Sequence, residues 1–424
     1  MFLSAIFSYI LICMQSSIAV PSSSSIASPS SEASANRERV ASSAGTPWYC
    51  HAVVFAATCI VVGVLWDISW HSTIGRDTFW TPAHMVIYLG GTLGGCIGGW
   101  LVLQATFFGN AQQRAASVGL WGFRGPIGAW VSIWGSFAML VSAPFDNWWH
   151  DAYGLDVKIL SPPHSVLAAG MYFLVFGGLL LVAGVQNRAA SSKTVVAATV
   201  PSGSWLFVYA GGVLIAMGAI MLTEESLPNH QHSGTYYRAS SIVYPFYFAM
   251  LARASKLRFP ATIAAGVYML LCGGMTWVLP LFKATPMLAP IYNPVTHMVP
   301  EAFPHLLIAP AIAIDLLFLA LGRGRGWRRD ALLAVCIATA FLGIFLAVQW
   351  NFSKFLLSPA AENWFFAGNS YWSFAVNVGP WQRQFWETGV DPVTLASLGK
   401  TWLVALASTA VGLTLGNWMS KVKR

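Results

Sequence analysis

Apolar residues along the chain fall into long uninterrupted runs, not the alternating pattern of a half-buried strand. After residue 45, ten stretches are long enough, or nearly so, for the roughly 20 apolar residues that carry a helix across a bilayer core. They lie near 49–70, 82–107, 127–149, 163–186, 204–223, 240–254, 260–282, 303–322, 330–350 and 398–418. The pattern predicts an all-α, polytopic transmembrane helical bundle of about ten helices built from repeated helical hairpins, with the lipid bilayer as its first partner. Composition agrees. Of 424 residues 56% are apolar and 9% charged, against about 25% charged in a soluble domain.

The net charge of +8 raises a nucleic-acid partner as a possibility, but the cations sit in short loops between apolar runs, as topology demands. Sixteen of the 23 Lys and Arg fall before the first stretch, in alternate loops (Arg114, Arg124, Arg188, Lys193, Arg253, Lys256, Arg258, Arg323, Arg325, Arg328, Arg329) and in the tail. Both ends of the ten-helix unit are therefore expected on the cytoplasmic side of a bacterial inner membrane, and no nucleic-acid partner is implied. The six cysteines show no CxxC spacing and read as small packing residues.

Three regions are expected. Residues 1–45 hold a signal-like apolar run and a Ser/Ala-rich segment too polar to pack a core. Residues 46–190 form a membrane domain with two metal-ligand repeats, and 191–424 add helices with degenerate copies of the same pattern. Eight of the nine histidines and 11 of the 15 acids lie in, or beside, the loops opposite the cationic ones, which places the polar chemistry toward the outer, periplasmic face.

Within those loops a pattern recurs: a helix ends in acid-x3-His and the next begins with Pro and His. Asp67 and His71 precede Pro82 and His84; Asp146 and His150 precede Pro162, Pro163 and His164, at offsets of 79 and 80 residues. Residues i and i+4 share one helix face, so carboxylate and imidazole converge, and a third ligand from the first turn of the returning helix closes a set of two nitrogens and one oxygen. Such a set suits copper, zinc or non-haem iron. An Asp and a His so spaced also form a plain ion pair at a helix end; duplication of the whole triplet argues against that. Weaker copies hold Glu225, Asn229, His230 and His232, then Tyr244, and further on Asn293, His297, Pro304 and His305. For these a solvated polar loop is the competing reading, and Pro294 disfavours a regular turn between Asn293 and His297. Asp315, inside an apolar stretch, reads as a proton site or a helix-to-helix hydrogen bond. The run Gly90-Gly91-x2-Gly94-Gly95-x2-Gly98-Gly99 reads as helix packing.

The string around the first triplet, WDISWHSTIGRDTFWTPAH, resembles the C subunit of the copper membrane monooxygenases, the particulate methane and ammonia monooxygenases. Their signature of Asp-x2-Trp-His, Arg-Asp-Thr and Thr-Pro-x-His is matched by Asp67, Trp70 and His71, by Arg76, Asp77 and Thr78, and by Thr81, Pro82 and His84. The similarity extends over about residues 47–187. His150, Pro162 and His164 match the spacing of the family's second ligand set, with Asp146 where the family has Asn. The resemblance implies copper at the first set, with Arg76 and Asp77 as supporting groups around it, whereas Asp146 gives the second set a full negative charge and leaves its metal open. It also implies O2 activation, hydroxylation of a small substrate such as methane, ammonia or a short hydrocarbon, and A-like and B-like partner subunits. A different class of function stays open, that of an outward-facing metal-ion transporter or receptor.

Overall fold

The computed structural model describes residues 45–76, 78–154, 161–191 and 200–423; the expected segment 1–45 and Asp77 lie outside them, save residue 45. Each of the ten stretches coincides with a helix: α1 (Trp48–Thr73), α2 (Pro82–Leu103), α3 (Ile127–Tyr153), α4 (Pro162–Ser191), α5 (Ser204–Ile220), α6 (Gly234–Ala254), α7 (Pro260–Val278), α8 (Ile308–Leu321), α9 (Trp327–Leu356) and α10 (Leu395–Met419). Seven of them, α1–α4, α7, α9 and α10, are long and apolar enough to cross a membrane. The other three depart from the expected ten for different reasons. α5 and α8 are apolar but short. α6 has 21 residues, but Thr235, Arg238, Ser240, Ser241 and four tyrosines dilute its apolar character.

Among the described residues strand is confined to a two-stranded antiparallel ribbon, β1 (Val118–Leu120) with β2 (Phe123–Gly125), in the connection from α2 to α3. Proline opens α2, α4 and α7, where its missing N–H would have had no helical partner.

By contacts the chain divides into two units. One comprises Gly91–Phe207 with the stretches up to Ala57 and from Val422; the other comprises Thr58–Gly90 with Val208–Lys421. In the first, α3 and α4 pack through glycine. A Cβ on Gly135 would meet the Gly170 carbonyl oxygen and Leu174 N at 2.6 Å, and one on Gly170 would meet the Gly135 carbonyl oxygen at 2.8 Å. The two backbones touch, as small residues allow where no water drives helices together. The α2 glycines serve packing as expected: Gly91 faces Met139, Gly94 faces Leu174, Gly95 faces Ser136 and Gly98 faces the Ala129 carbonyl, whereas Gly99 meets nothing within 4 Å.

In the second unit polar side chains tie helix ends together. Asp315, fully buried in α8, accepts from Ala261 N at 3.2 Å and from Thr262 N and Oγ1 at 2.8 Å. It caps the start of α7, where the first N–H groups have no helical acceptor. That is the helix-to-helix hydrogen bond of the two readings offered by the sequence. Arg253 donates to Asp330 at 2.5 Å, and Asn417 donates to the other Asp330 oxygen at 2.7 Å, joining α6, α9 and α10. The long connection from α9 to α10 is pinned to the start of α6 through Asp391, which accepts from Thr235 N and Oγ1 at 2.6 Å and from Arg238 at 3.0 Å. The Thr235 hydrogen bonds, with the Arg238 guanidinium, hold the Asp391 carboxyl below the ordinary carboxylate range.

The glycine contact makes a paired prediction. Gly135→Val forces α3 from α4 and should destabilise the purified protein by the about 1–3 kcal/mol of an overpacked core. Gly99→Val, on a face that meets nothing, should leave the melting temperature in detergent unchanged. Equal melting temperatures for the two variants would refute the backbone contact.

Candidate metal centre

Asp67 stands six residues before the end of α1, and His71 follows one turn later on the same face. α2 brings His84 in its first turn. Close approach of α1 and α2 depends on Gly63, one turn before Asp67: a Cβ there would meet Ile87 Cγ1 at 2.6 Å and Ile87 N at 3.0 Å. The outcome is a cluster in which His84 Nε2 lies 3.1 Å from Asp67 Oδ1 and His71 Nε2 lies 3.8 Å from Asp67 Oδ2. One donor atom from each of the three residues falls within 4.8 Å of the others. Among the described residues this is the one such group of three His, Cys, Asp or Glu side chains.

The connection between α1 and α2 fixes the His84 ring. The Thr78 carbonyl takes Thr81 N at 3.0 Å and stands 2.9 Å from His84 Nδ1, while Thr78 N donates to Thr81 Oγ1 at 2.9 Å. A carbonyl can only accept, so Nδ1 carries the hydrogen. In the neutral imidazole Nε2 then offers a lone pair toward Asp67 Oδ1, a buried oxygen that accepts no hydrogen bond. Two acceptors 3.1 Å apart repel unless a cation lies between or beside them: a second proton on His84, or a metal ion. Bonding the outer nitrogen to a carbonyl is also how metal-binding histidines are commonly oriented.

The end of α1 is held from the far part of its own unit. Ser69 Oγ donates to the Val299 carbonyl at 2.5 Å, Val299 N donates to Thr73 Oγ1 at 2.7 Å, and Thr73 Oγ1 donates to the Ser69 carbonyl at 2.6 Å. Both hydroxyls are fully buried. Phe374 N adds a bond to the Ser72 carbonyl at 3.0 Å, and Met287 N one to Ile74 at 2.9 Å. Arg76, expected to support the ligands, is exposed; its carbonyl accepts the Trp70 indole N–H at 3.0 Å. Sequence reading missed Ser69, Thr73 and Val299. Their partners are some 230 residues apart, and Ser and Thr in an apolar helix more often bond back into their own turn.

The second triplet lies in the other unit, at the end of α3 and the start of α4. His150 Nε2 and His164 Nε2 approach the same oxygen, Asp146 Oδ1, at 3.5 and 3.7 Å. That oxygen too is buried and accepts no hydrogen bond. His150 Nδ1 sits 3.0 Å from the Gly154 carbonyl, repeating the carbonyl-held imidazole of the first set on the other histidine of the pattern. This arrangement is looser than the first.

The degenerate copies are spent elsewhere. Glu225 lies in a single 3-10 turn, Glu224–Ser226. His230 Nδ1 faces Glu387 at 3.4 Å, and its ring meets Trp386 edge-on. His232 is sandwiched between Trp350 and Phe385 with ring centroids 3.6 and 3.5 Å away, and its Nε2 donates to the Trp350 carbonyl at 3.0 Å. Burial holds that imidazole below its ordinary pKa. Asn229 donates to the Gln382 and Gln384 carbonyls at 2.8 Å, so this copy fastens the α9–α10 connection. His297 is exposed in irregular chain beside Thr296, and Asn293 donates to the Trp372 carbonyl; the two share no helical turn. His305 is buried against Tyr244. No three of Glu225, His230, His232, His297 and His305 form a donor cluster like that at Asp67.

The Thr73 clamp yields a test. Thr73→Val leaves Val299 N buried without an acceptor and should cost about 1–3 kcal/mol, lowering metal retention at the Asp67 set before the Asp146 set. Thr73→Ser should restore both. Metal content and thermal denaturation measured on the two variants decide it. As for kinship, no family model matches the chain, and neither a curated protein nor a solved structure is similar to it.

Proposed function

We propose that the chain is a copper-binding integral membrane protein that takes part in oxidation of a small substrate by O2, in the manner of the monooxygenase C subunit its residues 47–187 resemble. The observation carrying the reading is the Asp67 oxygen, buried and without a hydrogen bond, facing a nitrogen of His84 whose other nitrogen is committed to Thr78. Asp67, His71 and His84 supply one carboxylate and two imidazoles, a donor set that copper, zinc and iron all accept. Bound copper would supply O2 activation.

The protein's own part is to hold these donors and to balance charge. Asp67 offsets cationic charge that the surrounding apolar helices would otherwise leave exposed to a low dielectric. Thr78 keeps His84 in one tautomer, and the Ser69–Thr73–Val299 clamp keeps the helix end from fraying. Apolar surroundings suit a small substrate of low polarity and keep bulk water from a reactive oxidant. In the full topology proposed here all ten helices span an inner membrane, the basic loops face the cytoplasm, both metal sets face the periplasm, and A-like and B-like subunits complete the enzyme.

Removing one imidazole should release the metal, because two remaining ligands hold an ion poorly against water. His84→Ala, purified in detergent and dialysed, should lose about one equivalent of copper per chain by elemental analysis. Unchanged stoichiometry would leave Asp67 and His71 as a helix-end ion pair.

The second set carries a full charge at Asp146. Asp146→Asn preserves an oxygen donor but removes that charge. It should weaken divalent affinity there by more than the roughly 10–100-fold that loss of a supporting group costs, and raise the reduction potential of bound copper. Equal affinity and equal potential in parent and variant would show that Asp146 is no ligand.

A further inference from the structure

The irregular stretch between α7 and α8 lines a cavity of about 50 Å³ in the second unit. Its walls include Glu301, His305, Tyr268, Cys272 and Phe303, and Leu65 of α1. His305 is 3% exposed, and its hydrogen bonds form a closed cycle. Its backbone N–H donates to Tyr268 Oη at 3.0 Å; Tyr268 in turn bonds the Tyr244 hydroxyl, which lies 3.0 Å from His305 Nδ1. Each hydroxyl in the cycle can donate or accept, so the ring can carry its hydrogen on either nitrogen. Nε2 is buried and faces the Ser226 carbonyl, which also accepts from Gln231 Nε2 at 2.9 Å.

Neighbouring amides bond one another. Leu306 N donates to Gln349 Oε1 at 3.1 Å, and Gln349 donates to Gln231 at 2.8 Å. Glu301 is half-buried on the cavity wall, and among the described residues no cation lies within ion-pair distance of it. The titratable groups facing it are Cys272 and Tyr268 from α7 and His305 from its own stretch; no Lys or Arg lines the cavity. A carboxylate in such surroundings favours its neutral form.

We propose that Glu301 and His305 form a proton-exchange site, with water in the cavity linking the Glu301 carboxyl to His305 Nε2. The volume suffices for water, and Glu301, His305 and Tyr268 bring polar groups to its wall. Glu301 binds the proton. His305 can pass it on, since protonating the Tyr244 side of the ring and releasing the Nε2 hydrogen exchanges one neutral tautomer for the other without leaving charge behind. Carboxyl–imidazole–hydroxyl chains among membrane helices commonly have this use. Burial pushes the Glu301 carboxyl up to about 7, which puts the exchange near neutral pH. The site draws on none of the metal-set residues, so it stands or falls apart from the reading above.

Dicyclohexylcarbodiimide, an apolar reagent that attacks protonated carboxyls, tests the site on the full chain in detergent, with adducts mapped by mass spectrometry. Glu301 should be modified about tenfold more at about pH 6 than at about pH 8, the ratio of protonated fractions around a midpoint near 7. Asp330, ion-paired with Arg253, should stay unmodified. A carboxylic-acid carbonyl band that appears on the same pH step should vanish in Glu301→Gln, and His305→Phe should shift its midpoint. Absence of both the pH-dependent adduct and the band would overturn the proposal, as would a midpoint indifferent to His305.

Discussion

A polar group set among apolar helices has no water to fall back on, and an unmet donor or acceptor there costs several kcal/mol. Most of what distinguishes this fold follows from that penalty. Asp315 is tolerable in the middle of α8 because three donors at the start of α7 close on it. Arg253 is tolerable because Asp330 and two carbonyls of the α8–α9 connection receive it. Among the described residues several buried polar atoms nonetheless complete no hydrogen bond, among them the carboxylate oxygens Asp67 Oδ1 and Asp146 Oδ1, which face the imidazoles of their own clusters.

The sequence was a good guide to helices and a partial one to spans. Runs of apolar residues found the ten long helices among the described residues, because a run long enough to cross a bilayer has few other solutions; the short polar helix Ala111–Ala115 left no such signal. It could not tell span from shorter helix: α8 stops at Leu321, where Gly322 and the basic stretch begin, and α6 mixes tyrosines and serines into an otherwise regular helix. Helix spacing also located the Asp67 and Asp146 clusters, since i and i+4 convergence is local and the returning helix needs only a short loop. The clamp on Ser69 and Thr73 was illegible for the opposite reason. It depends on Val299, whose contribution is backbone alone, and backbone partners leave no trace in residue identity.

The degenerate copies show where spacing ceases to determine chemistry. Glu225, His230 and His232 stand at offsets close to the metal-ligand pattern, yet His232 lies flat between two aromatic rings with Nε2 given to a carbonyl. An imidazole is apolar on its faces and polar at its edge, so the same side chain can fill an aromatic stack or hold an ion. Which it does depends on what surrounds it. At His84 the edge meets a carboxylate; at His232 the faces meet Trp350 and Phe385.

The most informative divergence concerns the residue that opens the returning helix. In the first two copies that position is His84 or His164, and each points Nε2 at the carboxylate of its own hairpin. In the third and fourth copies the expected counterparts, Tyr244 and His305, do not open a helix: α6 begins at Gly234, which puts Tyr244 in its middle, and His305 precedes α8; the two bond to each other instead. Tyrosine can both donate and accept, so it satisfies one nitrogen of the imidazole without bringing charge. The ring is held by a neutral hydroxyl where His84 has the Thr78 carbonyl. That difference matters: a carbonyl holds the hydrogen on Nδ1 and leaves Nε2 as a lone pair suited to a cation, whereas a hydroxyl accepts or donates and leaves both tautomers open. One hairpin pattern thus yields two kinds of imidazole, differing in what stands behind the ring.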